Sequence, residues 1–297
     1  MSASTIIKVT GTVKSVPLTV SSGLLGLTAN AAWAATGLAA SVVGMAAKAT
    51  ISALKNSSTH ESNVYTTSEL RSQQQTILQQ VTVQVTQQQL STLDTAKVAA
   101  IATCAATPYK VPESAQLHQC VQQLYAATSS QQVQLVQQQL LQVLETGNQQ
   151  VLNQSLVEAC SRASVKVGFE QVKVDTFQGK NRVVATNFIG QALITEIDTT
   201  ERVNIATEVL GVADGTCDGI LERFEQALTE EGVIRDGAPS RKFTGGVVEL
   251  AAAKDFIRSR VTPKQVVSTE QSQPPTTIEE QQLLKRRRQQ QVQKAHQ

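Results

Sequence analysis

An α+β fold is expected for this chain of 297 residues, on three observations. Apolar residues recur at helical spacing between residues 70 and 151, alternate as in strands from residue 165 to 209, and return to helical spacing at Ile220, Leu221, Phe224, Ala227 and Leu228. The architecture expected is an Ala/Gly-rich N-terminal helical segment, a Gln-rich α-helical hairpin, a small antiparallel sheet with one packed helix, and a flexible basic C-terminal helix. Changes of composition divide the chain into an apolar, potentially membrane-associating segment at 1–55, a linker at 56–68, the hairpin at 69–160, a small α+β module at 161–262, and a linker with basic tail at 263–297.

The first 14 residues are short and Thr-rich and read as a strand or a loose leader. From Ser15 to Ala47 no side chain is ionisable, a length sufficient to cross a bilayer, for which about 20 apolar residues are needed. Small residues outnumber Leu, Ile and Val there, and Asn30 lies near the middle, so the gain on leaving water is small. Gly37 and Gly44, seven residues apart, share a helix face that permits close approach in lipid or in protein. Three readings stay open: a buried Ala-rich helix, insertion in or lying on a membrane, and a signal peptide cleaved near Ala29-Asn30-Ala31 or Ala32-Trp33-Ala34. In the membrane or partner reading the contacts are Leu24, Leu25, Leu27, Trp33, Leu38, Val42 and Val43.

Residues 56–68 are a polar linker. The Gln-rich region then reads as two long amphipathic helices, one through Leu70, Ile77, Val81, Leu90 and Leu93, the other through Leu117, Val121, Leu124, Val133, Leu140 and Val151. Pro108 and Pro112 separate them, and the apolar phase changes near Ser129 and Ser130. Their polar faces carry Gln in place of Glu and Lys, so few ion pairs set the register and a partner's helices can pack against them. From residue 165 alternation predicts a strand with a bulge at Glu170 and Gln171, a turn at Gly179, Lys180 and Asn181, one or two further strands bent at Gly190, and another through Val203, Ile205 and Val209. The helix after it ends at Gly232.

The segment ERVNIATEVLGVADGTCDGILERFEQALTEEG, residues 201–232, resembles the core of a family of very small bacterial and cyanobacterial proteins of unknown function, with two or three strands, a turn from Gly211 to Cys217 and a helix bearing Leu221, Phe224 and Leu228. Members are encoded beside AAA+ ATPases, so the resemblance implies an accessory role and an AAA+ ATPase as partner. It supplies no catalytic residue.

Composition narrows the chemistry. A formal net charge of +2 spreads no strong field over the surface, and 3% aromatic residues disfavour stacking on single-stranded nucleic acid or sugar. Any basic function is local, at Lys285, Arg286, Arg287 and Arg288, a solvated tail, a docking patch for an acidic partner or lipid, or a contact with nucleic acid. Cys104, Cys120, Cys160 and Cys217 lack zinc-ligand spacing and read as buried thiols. Residues 214–225 match a calcium-loop template at Asp214, Thr216, Asp218, Gly219 and Glu225, yet the apolar spacing asks for a helix already running at Ile220. A strand-to-helix turn capped by Asp or Thr is therefore preferred. No nucleotide, hydrolase or metalloprotease motif is present, and no cofactor is called for. The function expected is a non-enzymatic, cytoplasmic adaptor, peripheral to or inserted at the inner membrane, with self-association open. The alternative is a membrane-perturbing effector whose N-terminal segment inserts and oligomerises.

Overall fold

The computed structural model describes residues 3–13, 38–55, 63–112, 114–199, 203–212, 215–243 and 247–261. Among them are eight strands and seven helices, a mixed α+β architecture. In chain order they are β1 (Ala3–Val13), α1 (Leu38–Lys55), β2 (Asn63–Tyr65), α2 (Thr67–Thr86), α3 (Thr92–Ala106), α4 (Ala115–Ala126), α5 (Ser130–Lys166), β3 (Gln171–Phe177), β4 (Lys180–Thr186), β5 (Ala192–Asp198), β6 (Asn204–Leu210), α6 (Cys217–Glu230), β7 (Val233–Arg235), β8 (Ser240–Phe243) and α7 (Ala251–Val261). Met1–Lys254 forms one compact unit and Asp255–Gln297 a second. Within the second, the Arg260 guanidinium stacks 4.5 Å from the centre of the Phe256 ring.

The sheet is curled, antiparallel throughout, and larger than the sequence suggests, because the N-terminal residues join it. β1 has a pairing partner on each side and lies one place in from the end of the strand order. Its first half pairs with β6 on one side, Ile7 opposite Ile205, and with β8 on the other, Thr5 opposite Arg241. Its second half pairs with β2 and β7, and a register shift between Val9 and Gly11 joins the two regimes. Gly11 is required at that bend: a Cβ there would lie 2.5 Å from the Val64 carbonyl oxygen. A cleavage after Ala31 or Ala34 would remove this strand.

β3 and β4 form a tight hairpin whose two-residue turn is Gln178-Gly179, both with positive φ, so the turn falls one residue earlier than alternation suggests. The expected strand from residue 165 begins only at Gln171. Residues 165 and 166 finish α5, and Gly168, at φ 94°, closes it by donating its N–H to the Val165 carbonyl. The alternation of Val165, Val167 and Phe169 is a helix end followed by a core residue.

α5 and α6 cover one face of the sheet, burying Leu152, Leu156, Cys160, Leu221 and Phe224 against Ile7, Val183, Leu193 and Ile205. Residues 249–253 lie against the opposite face. There Glu208 of β6, fully buried, accepts the backbone amides of Glu249 (3.0 Å) and Leu250 (2.8 Å), and Arg182 of β4 donates to the Ala252 carbonyl (3.3 Å).

The Gln-rich region, expected as two helices, folds as four. Ser91 caps α3 by accepting the Asp94 amide, and Ser129 caps α5 by accepting the Gln132 amide, so each expected helix is interrupted where a good N-cap occurs. The second break falls where the apolar phase changes. With α1, these helices close a second core around Val81, Val98, Ile101, Val121, Leu124 and Leu140. α5 serves both cores, the helical one with Val133, Leu140 and Leu144, and the sheet one from Val151 onward. Its 37 residues span roughly 55 Å at 1.5 Å per residue.

Candidate functional site

One concavity among the described residues is a groove between α4 and α5. The two helices run antiparallel, and two adjoining cavities of about 270 and 360 Å³ share Gln116, Gln142 and Val143. Along α4 the walls are Gln116, Gln119 and Gln123, one helix face by spacing; along α5 they are Gln139, Gln142 and Gln150. Val111, Pro112, Val143 and Gly147 supply apolar lining at one end.

That end is fixed by contacts between the α3–α4 connection and α5. Asn148, fully buried, accepts the Lys110 amide through Oδ1 (3.1 Å) and donates through Nδ2 to the Tyr65 carbonyl (2.8 Å). The α3–α4 connection and β2 are thereby pinned to α5. One turn position earlier, Gly147 lets Val111 press onto the helix: a Cβ there would meet Val111 Cγ1 at 2.4 Å.

None of the described lining residues of either cavity carries a formal charge; Glu113, between Pro112 and Ser114, lies outside the described residues. The Cys120 thiol, on the α4 wall, is pushed up from its ordinary pKa by burial and stays neutral near pH 7. Each Gln amide offers both donors and acceptors, so the groove suits a neutral ligand with hydrogen-bonding groups and an apolar element, in particular a peptide segment.

A second feature stands out on the surface. Phe188 and Ile189 form the tip of the β4–β5 turn, 81% and 77% exposed. The tip is braced: the Gly190 amide donates to the Asn187 carbonyl (3.2 Å), the Asn187 amide to the Gln191 carbonyl (3.2 Å), and the Asn187 and Gln191 side chains bond each other at 2.8 Å. The Gln191 amide adds a bond to Asn187 Oδ1 (2.9 Å), and Gly190 takes φ 83° to close the turn.

No family model, curated protein or solved structure matches this chain.

The charged clusters are structural in their geometry. Glu225 of α6, its side chain 4% exposed, receives Arg241 Nε (3.1 Å) and Nη2 (2.6 Å) and the Thr5 hydroxyl (2.7 Å), while Arg241 Nη1 reaches Asp218 at 3.2 Å. The calcium-loop match at residues 214–225 does not take the form of a loop. Glu225 and Asp218 are engaged by a guanidinium, and Cys217 to Glu225 are helix where a calcium loop needs extended ligands. The expected cap is absent too, since Thr216 makes no side-chain capping bond; Asp214 lies outside the described residues. No group of three His, Cys, Asp or Glu residues that could hold a metal occurs among the described residues.

Of the proposed contact residues, Leu24, Leu25, Leu27 and Trp33 lie outside the described residues, as do Lys285, Arg286, Arg287 and Arg288. Leu38 opens α1. Val42 is exposed, but Val43 is corrected: with Ala47 and Ile51 it packs into the helical core and offers no surface. No helix among the described residues is long and apolar enough to cross a membrane. All four cysteines are buried free thiols, and Cys104 is pushed up to about 12 by burial. His118 bonds the Ser114 carbonyl through Nδ1 at 2.9 Å; His60 and His296 lie outside the described residues. Sequence reasoning singled out neither the groove nor the tip. Gln at positions 116, 119 and 123 was a readable signal, whereas nothing in Asn187-Phe188-Ile189-Gly190 distinguishes an exposed turn from a buried strand.

Proposed function

We propose that this protein is a non-enzymatic interaction protein that docks a protein segment in the groove between α4 and α5. The observation that carries the reading is the groove's amide walls, with an apolar end where Asn148 and Gly147 bring the α3–α4 connection onto α5. The buried carboxylates Glu208 and Glu225 support it, since each is engaged by donors of the fold instead of facing a cleft. An adaptor accessory to an AAA+ ATPase is the partner class that the resemblance at 201–232 implies. The helical hairpin pattern presents the docking surface, the basic tail at 285–288 contacts acidic groups, and the cytoplasmic side of the inner membrane is the place proposed. A photo-crosslinking residue at Gln119 or Gln142 of the full chain is expected to yield a protein adduct in cells, while one at exposed Gln226 yields none. Equal labelling at all three positions would defeat the assignment.

The membrane-perturbing alternative has its own observation, the exposure of Val42 and Met45 on α1. Because Val43, Ala47 and Ile51 are core residues, deleting the segment would unfold the helical half. The discriminating variant is Val42→Lys with Met45→Lys, which abolishes dye leakage from liposomes if the effector reading holds and leaves adaptor crosslinking intact.

A further inference from the structure

We infer that β3, the last strand in the sheet order, pairs antiparallel with β3 of a second copy of this chain, Val174 opposite Val174, so that two sheets join into one across a two-fold axis. This contact is separate from the groove and does not depend on what the groove takes.

The hairpin fixes which way the backbone of β3 faces. In a two-residue turn the flanking residues, Phe177 and Lys180, exchange both backbone bonds, and the pattern then repeats at every second pair. Gln171, Lys173, Asp175 and Phe177 therefore turn their N–H and C=O groups towards β4, while Val172, Val174 and Thr176 turn theirs outward. Among the described residues β3 pairs only with β4, so the outward groups form an open ladder.

Side chains select the register. Glu196, Arg182 and Asp175 form one row across β5, β4 and β3, alternating in charge and ending on an acid at the sheet edge. Arg182 holds that acid in place through Nε (2.7 Å) and Nη2 (2.9 Å). With Val174 opposite Val174, Lys173 of the second copy takes the next place in the row, facing Asp175, and the two-fold axis repeats the contact. The Lys173 side chain is 76% exposed and lies 3.8 Å from Asp175 of its own strand, a loose contact that it can exchange for a closer one. Positions 173 and 175 are non-hydrogen-bonded in this register, where opposed side chains come closest. On the other face Val174, 46% exposed beside the core residue Val183, meets Val174 of the second copy, and both leave water. A slide of one residue puts the faces out of step, and a slide of two sets Lys173 against Lys173 or Asp175 against Asp175. A lysine on an edge strand ordinarily discourages pairing; here it admits one register of one partner. An isologous contact of this kind closes at the dimer.

Sedimentation of the full chain over a concentration series is expected to show monomer passing to dimer and no further. High salt is expected to weaken the dimer, because the paired charges lie near the surface. Val174→Pro removes an outward N–H that the hairpin does not use, and Lys173→Asp opposes two acids; each is expected to weaken association at least about tenfold, with folding checked by circular dichroism. Should Val174→Pro fail to fold, Lys173→Asp decides. Register is read by disulfide formation under glutathione disulfide. Val174→Cys is expected to give a disulfide-linked dimer, the Cα atoms of such a pair being about 5.5 Å apart, and Thr176→Cys, opposite Val172, to give none. A wild-type chain monomeric throughout, a dimer indifferent to either folded variant, or equal crosslinking at residues 174 and 176 each overturn the inference.

Discussion

Arg241 illustrates how single residues hold the sheet to its covering helix. Thr195, Thr207, Thr5 and Arg241 occupy one register row across β5, β6, β1 and β8, and the row ends on Glu225 of α6. The Thr195 and Thr207 hydroxyls are 3.1 Å apart, so the row is a polar seam inside an apolar core. Removing one partner of a buried ion pair leaves a desolvated charge behind. Arg241→Ala should therefore cost about 3 kcal/mol in urea unfolding, with part recovered when Glu225→Gln is added. Two other carboxylates respond to pH in opposite directions. Burial raises the pKa of Glu208, partly offset by the Leu250 and Glu249 amides, so its contribution is full below the unfolded-state pKa and is lost as pH rises through the folded one. The Arg182 guanidinium lowers that of Asp175, so its contribution is full above the unfolded-state pKa and is lost as pH falls through the folded one. The urea midpoint followed against pH should lose its decline on the alkaline side of the carboxylate range in Glu208→Gln, and part of its acid decline in Asp175→Asn. An unchanged profile in either variant would remove that carboxylate from the pH response.

At the scale of elements, α5 determines what else can form. Its sheet half is small and apolar at Ala159, Cys160 and Ala163, which lets it lie close on β4 and β5. Its groove half meets the α3–α4 connection at a glycine. Gly147→Ala would gain about 1 kcal/mol of intrinsic helix preference but drives a methyl into Val111, a branched buried side chain with no free rotation to yield. A net loss of about 1–2 kcal/mol is expected, measured by thermal or urea unfolding. Val111→Ala in the same chain should restore most of it, whereas a loss that Val111→Ala leaves in place would mean that crowding is not the cause.

For the whole molecule, the far-apart ends of the first unit depend on each other. β1 pairs with β2, β6, β7 and β8, which come from residues 63 to 243. Deleting residues 1–13 should abolish cooperative unfolding, with loss of the near-ultraviolet circular dichroism signal. Deleting residues 262–297 should leave the transition of the first unit in place. Equal tolerance of both deletions would mean that β1 is dispensable.

The sequence by itself determined the mixed α+β class, the presence of helices between residues 69 and 160, a helix through Ile220 and Leu228 with its stop at Gly232 (φ 88°), and the buried state of the cysteines. These are local properties: periodicity, caps and turn residues act within a few positions of one another. Tertiary structure alone decided that residues 3–13 join the sheet with a pairing partner on each side, that Val43 faces inward, that Glu225 meets Arg241, and that glutamines from two helices face across one groove. Each of these depends on residues far apart in the chain, and pairing over such separations is set by how whole surfaces fit, which no short window of sequence contains.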